Sequence, residues 1–251
     1  MGAYGVIAAQ AQLGEAELSF ARAKRRDLLA SVLYRAGRTA FRVAGPRALA
    51  VELRLNRIMN RLAWEHAGAL YGDEFHNAVM ALPAAPLSEW VPPGSRVLDI
   101  GCGVGRLARL LAPQAAEVLG IDRNPRAIAI ARQRTPVTSS ARFEGAEVGA
   151  PLPEGFDVAV LSHVIEHIED VDALLRQLHA LTSRLLVEVP QFGMDSLNVI
   201  RRHRGMDFSS DADHVREYTP ELLAAQLQRN GWRITDRFER PIALAVLAER
   251  G

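Results

Sequence analysis

The segment Val97-Leu98-Asp99-Ile100-Gly101-Cys102-Gly103-Val104-Gly105 constrains the fold more than any other part of the chain. A short apolar run leads directly into three glycines at alternate positions, and a helix is predicted from Gly105 to Leu111. Glycine is what a sharp strand-to-helix turn needs. Bare backbone there also lets a ligand lie close beside a helix start.

Downstream of Gly94 the chain alternates short apolar runs with helical ones, the pattern of strands and crossover helices in a parallel sheet. Strands are predicted at 96–100, 117–121, 141–143, 157–161, 184–189, 232–238 and 242–247. Helices fill the gaps at 105–111, 125–133, 171–182 and 220–230. Only Glu239-Arg240-Pro241 separates the last two strands, so they are expected to form an antiparallel hairpin.

Upstream, Leu18, Phe20, Leu28, Leu29, Val32, Leu33 and Phe41 sit among charges at helical spacing until Gly45-Pro46 breaks the pattern. Further helical stretches run from Arg47 to about Ala69 and from Glu74 to Leu82, before a linker marked by Pro83, Pro86, Pro92, Pro93 and Gly94. The expected division is a helical extension or cap over 1–93 and a sheet domain over 94–251. Residues 1–60 carry ten Lys/Arg against four Asp/Glu, while the whole chain has a net charge of only +1. The basic character is therefore local, and an amphipathic basic helix suits packing, an anionic lipid surface or nucleic acid.

A composition of 49% hydrophobic and 24% charged residues over 251 positions excludes disordered and collagen-like classes. No apolar run reaches the roughly eighteen residues of a membrane span, and the first twenty residues lack the pattern of an export signal. A cytoplasmic location is expected. Cys102 is the single cysteine, so neither an intrachain disulfide nor a thiolate metal cluster is available. Any metal must be held by histidine and carboxylate.

Asp122 follows the second predicted strand, seventeen residues beyond Gly105, where a carboxylate can accept both hydroxyls of a ribose. Together with the glycine loop it implies an adenosine-containing cofactor. A dinucleotide fingerprint begun at Gly101 fails at Arg106, although one begun at Gly103 passes in its alanine form at Ala108. Asp99 decides between the two cofactor types. An acid at the strand end repels a pyrophosphate and attracts an ammonium group.

VLDIGCGVGRLA, followed by GIDRN, LPEGFDVAVLSHVIEHIEDV and VEVPQ, resembles the class I S-adenosylmethionine-dependent methyltransferases over roughly residues 94–250. The resemblance implies a Rossmann-like, seven-stranded, mostly parallel α/β sheet ending in an antiparallel hairpin. It places S-adenosylmethionine over Gly101, Cys102, Gly103 and Gly105, Asp122 on the ribose with Arg123 beside it, and Asp99 and Ser162 toward the methionine end. Family members often carry Gly-Asp-Ala after the third strand, and this chain has Gly145-Ala146-Glu147. Glu147 and the Ala146 amide are the expected adenine contacts.

After the fourth strand comes Ser162-His163-Val164-Ile165-Glu166-His167. In a helical turn, residues three and four apart share a face, so His163, Glu166 and His167 are expected to converge at the carboxyl end of the strand. His214 offers a fourth ligand for a divalent cation, and His163 or His167 could instead serve as general base. The arrangement resembles the metal-dependent small-RNA 2′-O-methyltransferases and the quinone-pathway O-methyltransferases, whose pattern is Glu-x-x-Glu-His with a later His. His163 replaces the first Glu. That change lowers the site's negative charge and favours zinc, iron or manganese over magnesium.

The expected activity is O-methylation of a small-molecule hydroxyl, with the insertion Gln191 to Glu217 and the N-terminal helices forming the acceptor pocket. RNA ribose methylation is the alternative enzyme. A noncatalytic partner protein with this fold and a nicotinamide-dependent reductase are the alternatives from other classes.

Overall fold

Seven stretches pair into one sheet, and the five inner ones are apolar on both faces, the signature of strands covered by helices on each side, while the edge strands 141–145 and 232–239 are largely exposed. The computed structural model describes residues 28–71, 87–147, 151–191, 197–206, 213–239 and 243–251. They separate into two compact units, divided between Leu82 and Pro83.

The first unit is a pair of helices, α1 (Leu28–Ala44) and α2 (Pro46–Tyr71). Gly45 ends α1 with φ 50°, donating its amide to Phe41 O at 2.7 Å, and Pro46 opens α2 where its missing N–H costs nothing. On α1, Val32, Leu33, Tyr34 and Phe41 are exposed among Arg35, Arg38 and Arg42. The parts of the predicted first helix before residue 28, and the predicted helix 74–82, lie outside the described residues.

The second unit holds strands β1 (Arg96–Ile100), β2 (Glu117–Asp122), β3 (Ala141–Gly145), β4 (Val158–Ser162), β5 (Arg184–Pro190), β6 (Trp232–Glu239) and β7 (Ala243–Arg250). Their order is β3-β2-β1-β4-β5-β7-β6, parallel except for β7, which runs antiparallel to both β5 and β6. The helices are α3 (Arg106–Leu111), α4 (Pro125–Gln133), α5 (Val171–Leu181), α6 (Asn198–His203) and α7 (Pro220–Arg229). Residues 240–242 of the predicted hairpin turn lie outside the described residues.

Strand parity sorts the core into two layers. Val97, Val158, Val160 and Leu186 pack with Leu107, Ala108 and Leu111 of α3 and Ile128 and Ala131 of α4. Leu98, Ile100, Ala159, Leu161, Leu185 and Val187 point the other way, onto Leu174, Leu175 and Leu178 of α5 and Leu223 and Leu227 of α7. Each fully buried leucine contributes about 2 kcal/mol. Leu87 and Val91 join the first layer, so this compact unit begins upstream of Gly94.

Local chemistry fixes the helix ends near the sheet's carboxyl edge. Asn124 caps α4 by accepting from the Arg126 and Ala127 amides, with Pro125 at the first position. Asp170 caps α5 through Ala173 N, and Thr219 caps α7 through Leu222 N. The strand order reverses direction at β1, between β2 and β4, and the crevice at that switch is where an open α/β sheet binds its ligand.

Candidate active site at the carboxyl edge of the sheet

The loop after β1 is held from below. Gly101 and Cys102 both donate their amides to Ile121 O, at 2.8 and 3.0 Å, and Gly105 donates to Cys102 O at 2.9 Å. At Gly105, φ is 74° and a Cβ would stand 2.5 Å from the Phe143 ring, so only glycine fits. At Gly103, φ is 54° and a Cβ would meet nothing within 4 Å. The first glycine serves packing, and the second leaves open backbone that a ligand can approach.

Asp122 ends β2 beside this loop. Its Oδ2 accepts from Gly103 N at 2.9 Å and its Oδ1 from Asn124 N at 2.8 Å, which fixes the carboxylate at the rim of the crevice. Asp99, in β1, is 2% exposed. Burial raises its pKa to about 7, while the Ala108 amide pulls it back down, and its Oδ2 has no hydrogen-bond partner among the described residues. A buried carboxylate in that state fits an ammonium-bearing ligand.

Several expected cofactor contacts look different in three dimensions. The Ala146 amide donates to Asp122 O at 3.1 Å, extending the β2–β3 ladder. Glu147 and Arg123 are exposed at the edge of the crevice. Cys102 packs its thiol against the core, where burial pushes its pKa up, and donates weakly to Gly103 O at 3.7 Å. Ser162 donates its hydroxyl to Glu188 Oε2 at 2.6 Å.

The cluster after β4 is not built on the helical turn that the spacing suggested. His163 takes a left-handed φ of 55°, and only Ile165–His167 form a short 3₁₀ turn. The result brings Glu166, His167 and His214 together, with one ligand atom from each lying within 4.8 Å of the others. His163 does not join that trio. Its Nδ1 lies 3.4 Å from Glu166 Oε1 and its Nε2 3.9 Å from Glu188 Oε2. Burial depresses its pKa, and the two carboxylates outweigh that and leave it above the ordinary value.

His214 reaches the turn because Val215 N donates to Glu166 O at 2.9 Å, while Arg216 donates to the carbonyls of Ile168 and Glu169. Gln191 and Tyr218 form an isolated parallel bridge at the neck of the same insertion. The imidazoles of His167 and His214 meet edge to face at 4.6 Å. His214 Nδ1 lies 2.9 Å from Glu217 Oε1, and His167 Nδ1 lies 3.2 Å from Asp213 Oδ2. A carboxylate behind each imidazole is the usual support for a metal-binding histidine.

Glu166 is 1% exposed, and neither of its carboxylate oxygens has a hydrogen-bond partner among the described residues. That is a poor state for a buried acid and a good one for a cation ligand. The residues therefore fit a divalent ion held by Glu166, His167 and His214. Glu188, Asp213 and Glu217 went unnoticed in the sequence. Of the insertion's apolar residues singled out there, Phe192, Met194 and Phe208 lie outside the described residues.

A methyltransferase domain family matches residues 73–236. The ubiquinone biosynthesis O-methyltransferase of Sinorhizobium fredii is 31% identical over 163 residues, 60% of this chain and 66% of that protein. The enzyme of the same name from Sinorhizobium medicae is 43% identical over 82 residues, covering 32% of this chain and 33% of that one. The chain thus spans less than two thirds of either relative.

Among solved structures, magnesium protoporphyrin IX methyltransferase from Synechocystis with bound S-adenosylhomocysteine superposes with a TM-score of 0.60 at 19% identity. That alignment covers 80% of this chain and all of the other. The N-methyltransferase NodS of Bradyrhizobium japonicum gives 0.53 at 20% identity, covering 67% of this chain and 93% of that one. Both share the fold.

The parallel sheet with its reversed last pair, the glycine loop and the acid after β2 together define a nucleoside-cofactor transferase fold. The chain belongs to the class I S-adenosylmethionine-dependent methyltransferases.

Proposed function

We propose that this protein methylates a hydroxyl of a small molecule, using S-adenosylmethionine and a divalent cation held by Glu166, His167 and His214. The observation that carries the reading is Glu166, a buried carboxylate neither of whose oxygens has a hydrogen-bond partner among the described residues, within reach of His167 and His214. The names of the bacterial relatives, ubiquinone biosynthesis O-methyltransferases, support oxygen as the acceptor atom.

When bound, the cofactor supplies a methyl group already activated on a sulfonium. The chain's residues supply placement, which is most of what an in-line displacement needs. Asp122 holds the ribose and Asp99 attracts the ammonium, while the open face at Gly103 lets the cofactor lie on the backbone. Transfer forms an O–C bond and breaks a C–S bond, and the acceptor's hydroxyl proton must leave. His163, between Glu166 and Glu188, is the group placed to receive it. A cation at Glu166, His167 and His214 would supply Lewis acidity toward that hydroxyl.

The exposed apolar residues of α1, set among Arg35, Arg38 and Arg42, support peripheral contact of this cytoplasmic enzyme with an anionic membrane that holds a lipid-soluble acceptor. The decisive experiment is calorimetric titration of Mn²⁺ or Zn²⁺ into chelator-stripped protein saturated with S-adenosylhomocysteine, with His167→Ala as control. Stoichiometric binding that disappears in the variant is expected. Full-rate turnover after chelation would overturn the metal-assisted reading.

A further inference from the structure

Along α2, Val51, Leu55, Ile58 and Leu62 follow one another at intervals of four, three and four residues. On a helix that spacing draws them into one stripe, about 16 Å long. The opposite side of α2, with Leu49, Leu53 and Asn56, is buried or half-buried. The stripe is not. Its four side chains are between 37% and 54% exposed, Met59 beside it is exposed too, and no described residue covers them.

Alternating steps of four and three are the spacing that meshes one helix with another, with Leu55 and Leu62 at a positions and Val51 and Ile58 at d positions. A helix lying on lipid needs only a broad apolar arc and a basic polar face. The flanks of this stripe differ from each other. Arg47, Arg54 and Arg61 recur every seven residues on one side, and Glu52, Met59 and His66 do so on the other. Antiparallel pairing of two such helices sets the arginine rows against each other. Parallel pairing sets Arg47 against Glu52 of the second copy, Arg54 against Met59 and Arg61 against His66, so like charges never meet. Arg61 already holds Glu65 of its own helix at 2.8 Å, which leaves Arg47 and Glu52 as the pair that fixes the orientation. Glu65 stands at the next d position and ends the seam.

We infer that this stripe docks a second copy of the chain, α2 against α2, parallel and in register. The contact is self-complementary, as a symmetric assembly requires. A seam of two heptads is short, so the interface is weak and concentration-dependent, with a Kd on the order of 1–100 µM. Leucine at a with β-branched residues at d also admits a third or fourth copy on the same seam, and the fitted mass counts them. The inference is independent of the acceptor and of the cation.

The test is sedimentation equilibrium of the full chain over concentrations that bracket this Kd. Wild-type protein is expected to self-associate. The double variant Leu55→Gln/Ile58→Gln should weaken association on the order of tenfold, since four apolar side chains per pair stay in water. Arg47→Glu alone should weaken it about two- to fivefold, the range of an exposed ion pair, and adding Glu52→Arg should restore the wild-type value. Residues five apart do not face each other on one helix, so that restoration reports a contact between copies. An unchanged Tm below the association range shows that each variant is folded. Protein that stays monomeric at every concentration would overturn the inference, as would association that the stripe variants leave intact. Monomeric protein that instead sediments with phosphatidylglycerol vesicles, and stops doing so in Leu55→Gln/Ile58→Gln, would overturn it in favour of a lipid surface.

Discussion

The backbone amide of Val215 donates to the carbonyl of Glu166 at 2.9 Å, and that bond sets His214 against His167 from a segment more than forty residues away in sequence. Two of the three candidate ligands come from one 3₁₀ turn. The third is delivered by the insertion after β5.

Val215→Pro removes this donor and leaves the sheet untouched. The expected outcome is a loss of Zn²⁺ or Mn²⁺ affinity of about 10- to 100-fold, the size seen when supporting groups around a metal are removed. Calorimetry with the metal alone reads it. Affinity for S-adenosylhomocysteine, measured on the same sample, should stay at the wild-type value.

Glu166→Gln keeps the volume of the side chain and removes its charge. In thermal denaturation, metal added to wild-type protein is expected to raise Tm, since the folded state alone offers the site. The variant should show no such rise. An equal rise in both proteins would place the metal elsewhere.

Asp99 yields a pH prediction of definite sign. Its pKa is raised from 3.8 to about 7 by burial, so ionising it opposes folding. The penalty is absent below pH 3.8, grows as the pH rises and is complete above pH 7. Asp99→Asn should therefore stabilise the ligand-free protein at pH 8 by on the order of 2–4 kcal/mol, and hardly at all at pH 4. Binding an ammonium requires the ionised acid. Affinity for S-adenosylhomocysteine should hence fall about tenfold per pH unit below 7 in the wild type and not in the variant.

Gly105→Ala tests the loop itself. Positive φ and the Phe143 ring 2.5 Å from the new Cβ both oppose the methyl group. A loss of roughly 3 kcal/mol in urea unfolding is expected, with weaker cofactor binding as a consequence of the displaced loop.

The fold was legible wherever one pattern decided the outcome. β1 at Arg96–Ile100 and α4 at Pro125–Gln133 coincide with the sequence reading residue for residue, because alternation and an Asn-Pro cap leave little choice. The cluster after β4 was only partly legible. Its spacing read as a helix, whereas the left-handed His163 turns that residue out of the trio and toward Glu188. Glu188 itself was hidden. A lone acid in an apolar strand faces one layer or the other according to register, and register is set by β4. The bond from the Ala146 amide to Asp122 O was hidden for a related reason, since only the paired sheet shows it.

The Gln191–Tyr218 bridge has a consequence for how such a chain can diversify. It pins the two ends of residues 192–217 side by side, so the sheet bears little of the entropy of whatever length lies between them. The segment is a cassette on a fixed socket. Because His214 rides on it, exchanging the cassette for one with a different recognition surface would also exchange the third ligand position, coupling the choice of substrate to the choice of metal.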